Sequence, residues 1–233
     1  MKILAILLVI LPCGLFAQNL VINPDFEARS GCPNAGGQFV LANQWFTPNG
    51  GTPDYFNDCS PTLEYGTEYN VRGGQIPHSG HGYMGIKSEN LHNNLYFEYL
   101  ETHLSEPLKS GQLYCVRLYL SPGEDDFALN ELGAVISQNI LRNLADKKIV
   151  LPYVPLANGS LLSEQDRWMC IKGLYKGKGG EKFLTIGYFN REDNFTRVKG
   201  DPKEGTMFRS AYYFIDDVSL EAVSDSTGCN CTP

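Results

Sequence analysis

The stretch QLYCVRLYLS, residues 112 to 121, constrains the fold most. Its residues alternate strictly: Tyr114, Val116, Leu118 and Leu120 share one face of an extended chain, while Cys115, Arg117 and Tyr119 share the other. RWMCIKGLY (167 to 175) repeats the pattern, with Met169 and Ile171 opposite Trp168, Cys170 and Lys172. KFLTIGYF (182 to 189) follows after the turn-rich KGKGG, and further strands are expected at 82–87, 95–104, 133–138 and 208–221. Only about 139 to 147 (NILRNLADK) reads as helix. Short strands joined by Gly, Pro, Asn and Asp turns predict a sandwich or barrel rather than βαβ units. Without internal repeat, heptad or long linker, the chain reads as one domain.

Ahead of the strands, Lys2 precedes an apolar run from Ile3 to Ala17, about 15 residues, short of the roughly 18 to 20 that span a bilayer. Residues 1–17 read as a signal peptide cut before Gln18. A lipoprotein leader competes, since Cys13 lies in the run, but Pro12 stands where a small residue should precede a lipidated cysteine. No second run reaches spanning length. The expectation is a mature chain without a transmembrane segment, secreted or held at the cell surface or in the periplasm.

The cysteines agree with export. Of 7, Cys13 goes with the leader, leaving Cys32, Cys59, Cys115, Cys170, Cys229 and Cys231. No CxxC is present, and CNC lacks a second half for zinc, so disulfides are expected. Cys32 and Cys59 would close a loop of about 26 residues, worth ~3 kcal/mol in the chain-entropy model. Cys115 and Cys170, if their strands are neighbours, would bridge directly. Cys229 and Cys231, in the polar tail 224–233, would then pair with each other or with another chain. The formal net charge is -7, and losing Lys2 makes it one unit more negative, which weighs against nucleic acid as a partner.

Four stretches together carry a family resemblance: NLVINPDFE (19 to 27), EPLKSGQLYCVRLYLS, DRWMCIKGLYKGKGGEKFLTIGYF and YYFIDDVSLE. In order and spacing the chain resembles the jelly-roll carbohydrate-binding modules grouped with galactose-binding-like domains. NPDFE, GTPDYFN and LGAVIS narrow this to exported envelope domains that often precede a peptidoglycan-binding domain of the outer-membrane-protein-A type, which this sequence lacks. The resemblance spans 19 to 221. It implies an all-β jelly-roll β-sandwich of two antiparallel sheets over 18–223, with long loops and at most one short helix. It also implies a structural calcium held by Glu27 of the first strand and Asp216 of the last. A β-bulge would put Asp217 in place of Asp216, and carbonyls of NPD and GCPNAGG would complete the six to eight oxygens that calcium takes. The plain alternative is that these carboxylates accept backbone hydrogen bonds.

Two surfaces are candidates for ligand. The outward face carrying Arg117, Tyr119, Trp168 and Lys172 joins aromatic rings to cations, which suits a sugar's C–H face and hydroxyls. The same residues would equally suit a sheet face covered by a loop. Trp45, Phe46, Tyr55 and Phe56 flank TPNGGTPD and would line a loop-borne pocket, or pack a loop on the rim. PHSGHGY spaces His78 and His81 three apart but offers no third zinc ligand. Glu98, Glu101, Glu124, Asp125 and Asp126 are the carboxylates from which a glycosidase pair would be drawn. Glu98 and Glu101 fall on opposite faces of a strand, GEDD reads as a solvated turn, and no nucleophile elbow or P-loop is present. The expectation is a non-catalytic exported module that binds glycan on a sheet face or loop rim. The alternative is a structural or adhesion module contacting another envelope protein.

Overall fold

The computed structural model describes residues 18–231 apart from 92–93, 126, 143–148, 191–193 and 200–207. The expected leader and most of the expected helix lie outside the described residues, and 139–142 are not helical. The strands are β1 (Trp45–Phe46), β2 (Asp54–Asn57), β3 (Gly82–Leu91), β4 (Asn94–Phe97), β5 (Tyr99–His103), β6 (Leu113–Pro122) and β7 (Phe127–Ala128). They continue with β8 (Leu132–Ser137), β9 (Val154–Leu156), β10 (Met169–Lys176), β11 (Phe183–Gly187), β12 (Thr196–Arg197) and β13 (Phe208–Val223).

These strands form a jelly-roll β-sandwich. One sheet runs β1-β5-β11-β8-β9, the other β10-β6-β13-β3-β2 with β4 added to β3, and every pairing is antiparallel. The expected strand 95–104 is divided at Glu98. β4 stays with β3, whereas β5 crosses to the other sheet. The break is held by Glu98 itself, whose N–H reaches the Lys87 carbonyl at 2.9 Å and whose Oε2 accepts the Lys87 N–H at 2.8 Å.

The faces read from alternation set the core. Tyr114, Val116, Leu118 and Leu120 of β6 and Ile171 of β10 meet Leu100, Leu184 and Ile186 across the sandwich, all buried. Each such side chain contributes about 1.5–3 kcal/mol by leaving water. Trp45 and Tyr55 belong to this core, contrary to the expectation of a loop-borne pocket. The Trp45 indole donates to the Asn23 carbonyl at 2.8 Å, and the Tyr55 hydroxyl donates to the Phe26 carbonyl at 3.0 Å.

The outer face of the larger sheet is covered twice. Toward β2, Phe56, Tyr83, Tyr212 and Phe214 form a second buried cluster, with Tyr65 and Trp168 packed against it. Toward β10, the C-terminal tail is cross-linked to the sheet. Cys115 bonds Cys229 and Cys170 bonds Cys231, while Cys32 bonds Cys59. A direct Cys115–Cys170 bridge is therefore replaced, and the tail pair joins neither itself nor another chain. Register explains this: Cys170 stands opposite Tyr119 and Cys115 opposite Leu174, so the two sulfurs lie four rungs apart on the β6–β10 ladder. A tail carrying CNC spans that offset.

Candidate functional site

NPDFE plugs the core and grips a loop at once. Phe26 is fully buried, its ring centroid 5.0 Å from that of Trp45, in a left-handed backbone conformation (φ 59°) that a bulky residue adopts only when its surroundings enforce it. That twist turns Glu27 toward the 78–82 turn. Its Oε1 accepts the N–H groups of His81 at 2.7 Å and Gly82 at 3.0 Å.

The other end of the same turn is held from β13. Its register against β6 shifts between Asp216 and Ser219, with Asp217 at φ 47°, and the bulge aims two consecutive carboxylates at one loop. Asp216 Oδ2 accepts from the N–H of His78 at 2.9 Å and of Ser79 at 3.1 Å. Asp217 pairs with His78 Nδ1 and accepts from Ser79 Oγ at 2.7 Å. Burial, then the neighbouring Asp217, pushes the Asp216 carboxyl up to about 8.

Glu27, Asp216 and Asp217 thus all reach the 78–82 turn, Glu27 and Asp216 through its N–H groups and Asp217 through the side chains of His78 and Ser79. Calcium takes six to eight oxygens, and each N–H aimed at a carboxylate takes up one of its roughly four acceptor sites. Among the described residues no group of three or more His, Cys, Asp or Glu is arranged to hold a metal. As arranged, the three carboxylates anchor the turn to the first segment and to β13. His78 and His81 do not converge, since His81 Nδ1 lies 2.6 Å from Asp58 instead.

The expected platform is occupied by the protein itself. Arg117 donates to the Asn230 carbonyl at 2.9 Å and to Glu221 at 3.2 Å, and Lys172 Nζ donates to the Cys229 carbonyl at 2.8 Å. The Trp168 indole donates to the Ile76 carbonyl at 2.8 Å, and Tyr119 lies against His78. Tail and loop therefore hold all four, so they form no open platform for a sugar chain.

The uncovered aromatic surface lies on the other sheet. Phe46 of β1, His103 of β5 and Phe183 of β11 form a row across three neighbouring strands, with centroids 5.4 Å and 4.7 Å apart. His103 is exposed, Phe46 and Phe183 are half-buried, and Ser137 of β8 continues the row opposite Phe183. Directly opposite Phe46, and two residues from His103 on the same face, lies Glu101, fully buried, its Oε1 accepting the Leu141 N–H at 2.9 Å. Burial pushes its carboxyl up to about 7. The sequence hides this row because each strand contributes one member, and only pairing register brings them together. The available signal was that His103 and Phe183 fall opposite the leucines of their strands.

No family model matches the sequence, and no curated protein does. Solved structures do resemble it. The CBM22-1 xylan-binding domain from Paenibacillus barcinonensis is 12% identical, with 87% of this chain and 93% of that one covered and a TM-score of 0.44. A CBM61 module in complex with β-1,4-galactotriose is 12% identical, with 89% and 100% covered and a TM-score of 0.38. The K3 cleaved adhesin domain of Lys-gingipain from Porphyromonas gingivalis is 15% identical, with 86% and 96% covered and a TM-score of 0.39. These are likenesses of backbone course.

Proposed function

We propose that the chain is an exported, non-catalytic carbohydrate-binding module whose binding face is the one end of the outer surface of the β1-β5-β11-β8-β9 sheet that stays open, beyond the buried Tyr99, Glu101, Thr185 and Val135. The Phe46–His103–Phe183 row carries the reading. Three rings on neighbouring strands, none needed to close the core between the sheets and tilted 56° and 47° to one another, give a ridged aromatic patch on which sugar C–H faces pack while hydroxyls meet His103 and Ser137. Export is supported by three disulfides, which form in oxidising compartments. Glu98 and Glu101 are buried and bonded to backbone N–H groups, leaving no open acid pair on this face.

Affinity electrophoresis through gels containing soluble xylan, galactan or β-glucan tests this. Phe183→Ala is expected to weaken retention by about tenfold, the equivalent of ~1.4 kcal/mol, with an unchanged melting temperature. Retention unaffected by both Phe46→Ala and Phe183→Ala would sink the reading.

A second reading, contact with another envelope protein, is favoured by one observation. Leu63, Tyr69 and Ile76, 79%, 71% and 66% exposed, all lie on the excursion between β2 and β3. The tail cysteines are bonded within the chain, so they do not themselves cross-link to a partner. A protein partner lost on Leu63→Ser with Tyr69→Ser, but kept on Phe183→Ala, would select this reading.

A further inference from the structure

Between its two covers, the outer face of the β6-bearing sheet is left with a gap. It is a cleft of about 270 Å³ lined by Asn19, Asp25, Arg117, Tyr119, Asp217 and Ser219. The β-bulge creates it. By shifting the register, the bulge places Ser219 rather than a larger cluster residue opposite Arg117, and β3 has already ended. The first segment takes that place, with Leu20 N–H on the Leu220 carbonyl at 2.9 Å and Asn19 bonded to both Val218 and Leu220. His78 on Tyr119 closes one end, and Asn230 on Arg117 closes the other.

From this geometry we propose that the cleft is a second binding site, for a single uncharged sugar ring or comparable small polyol. Its volume sits just below the ~300 Å³ lower bound of small-molecule pockets, enough for one ring and not for a chain. Its polar groups are mixed. The Arg117 guanidinium brings donors, the Asp25 and Asp217 carboxylates bring acceptors, and the Tyr119 hydroxyl serves as either. Ser219 is 6% exposed, and its buried Oγ has no hydrogen-bond partner among the described residues, a costly state at the cleft's floor. Alternating donors and acceptors match hydroxyls, which do both. Two carboxylates beside one guanidinium that already binds Glu221 disfavour an anion. The site is independent of the aromatic row, which lies on the opposite sheet.

Backbone amide shifts in NMR titrations with D-galactose, D-glucuronate and butylamine test the proposal on the mature chain. D-galactose is expected to shift the amides of Asn19, Arg117 and Ser219 saturably, equally in wild type and Phe183→Ala. Ser219→Leu, which fills the cleft, abolishes the effect. Tyr119→Phe, a milder change should the leucine variant fail to fold, weakens it about fivefold, the loss of one hydrogen bond. Shifts confined to the Phe183 side, saturation only by glucuronate or only by the amine, no saturable shift with any probe, or binding unchanged in a folded Ser219→Leu would each overturn the proposal.

Discussion

Tyr119 lies face to face with His78, ring centroids 3.7 Å apart and planes 18° apart. His78 is in turn paired with Asp217, so β6, the bulge of β13 and the 78–82 turn are joined through one stack of side chains. The outer face of Tyr119 is therefore taken by an imidazole, and a sugar laid on this sheet would have to displace it. The same stack brings Trp168 within range, its ring meeting His78 edge-on at 6.1 Å and Tyr83 at 5.7 Å.

Trp168→Ala should accordingly behave as a stability mutation. The indole is half-buried and closes the second aromatic cluster, so its loss is expected to cost about 2–3 kcal/mol, at the low end for large aromatic truncations. Thermal melts would show a drop of several degrees, with retention on polysaccharide gels unchanged. Weakened retention at an unchanged melting temperature would instead mark Trp168 as a ligand contact.

The tail cross-links carry a larger share of stability. Cys115–Cys229 and Cys170–Cys231 close loops of 114 and 61 residues, each worth about 4–5 kcal/mol in the chain-entropy model, although overlapping loops do not add fully. The variant Cys229→Ser with Cys231→Ser is expected to melt roughly 10 °C or more below wild type, taking 2–4 °C per kcal/mol for a domain this size. It leaves Cys115 and Cys170 as free thiols, which a thiol-labelling count would verify. A melt within 2 °C of wild type would show that the tail does not hold the sheet.

How much of this was legible in the sequence depended on the range of the interactions. Alternation is local, so the strands of 112–121, 167–175 and 182–189 and their inward faces could be read directly. Pairing register is not local. It decided that Cys115 and Cys170 are offset, that His103 faces Phe183 with Phe46 diagonal to it, and that β4 and β5 part at Glu98. Trp45 and Tyr55 misled because polar, glycine-rich TPNGGTPD suggests a rim, whereas Phe26 folds back to bury both rings. The convergence of Glu27, Asp216 and Asp217 was readable through the resemblance. What they converge on, the N–H groups of PHSGHGY, required the turn's own path.

The carboxylate grip on that turn leads to a prediction about metal. Since Glu27 Oε1 and Asp216 Oδ2 each accept two N–H groups, the melting temperature at pH 7 is expected to be the same within a degree in millimolar calcium and in chelator. Glu27→Gln should lower the melting temperature in both buffers alike, the loss of stability being about 1–2 kcal/mol for weakened charge-assisted bonds. A calcium-dependent rise that disappears in Glu27→Gln would show instead that these oxygens turn to a cation.

Acidity should stabilise the fold. Burial pushes the carboxyls of Glu98 and Glu101 up to about 7, and burial with Asp217 pushes Asp216 to about 8. In the unfolded chain all three return to the ordinary range near 4. A group raised on folding contributes fully below its unfolded value and loses that contribution as pH climbs to its folded one. Asp58 raises the exposed His81 as well, which acts in the same sense. Glu181 is lowered despite its burial, because the Tyr175 hydroxyl and nearby N–H groups bond it, and Asp225 is lowered by its bonds to Thr227; both act below pH 5. Melting temperature is therefore expected to fall by several degrees between pH 5 and pH 8. Glu98→Gln should flatten the portion up to about 7, and Asp216→Asn the portion that continues toward 8. A profile that is flat or rises across this window would mean that the three carboxyls are ionised in the folded chain, with the N–H groups around Asp216 outweighing its burial.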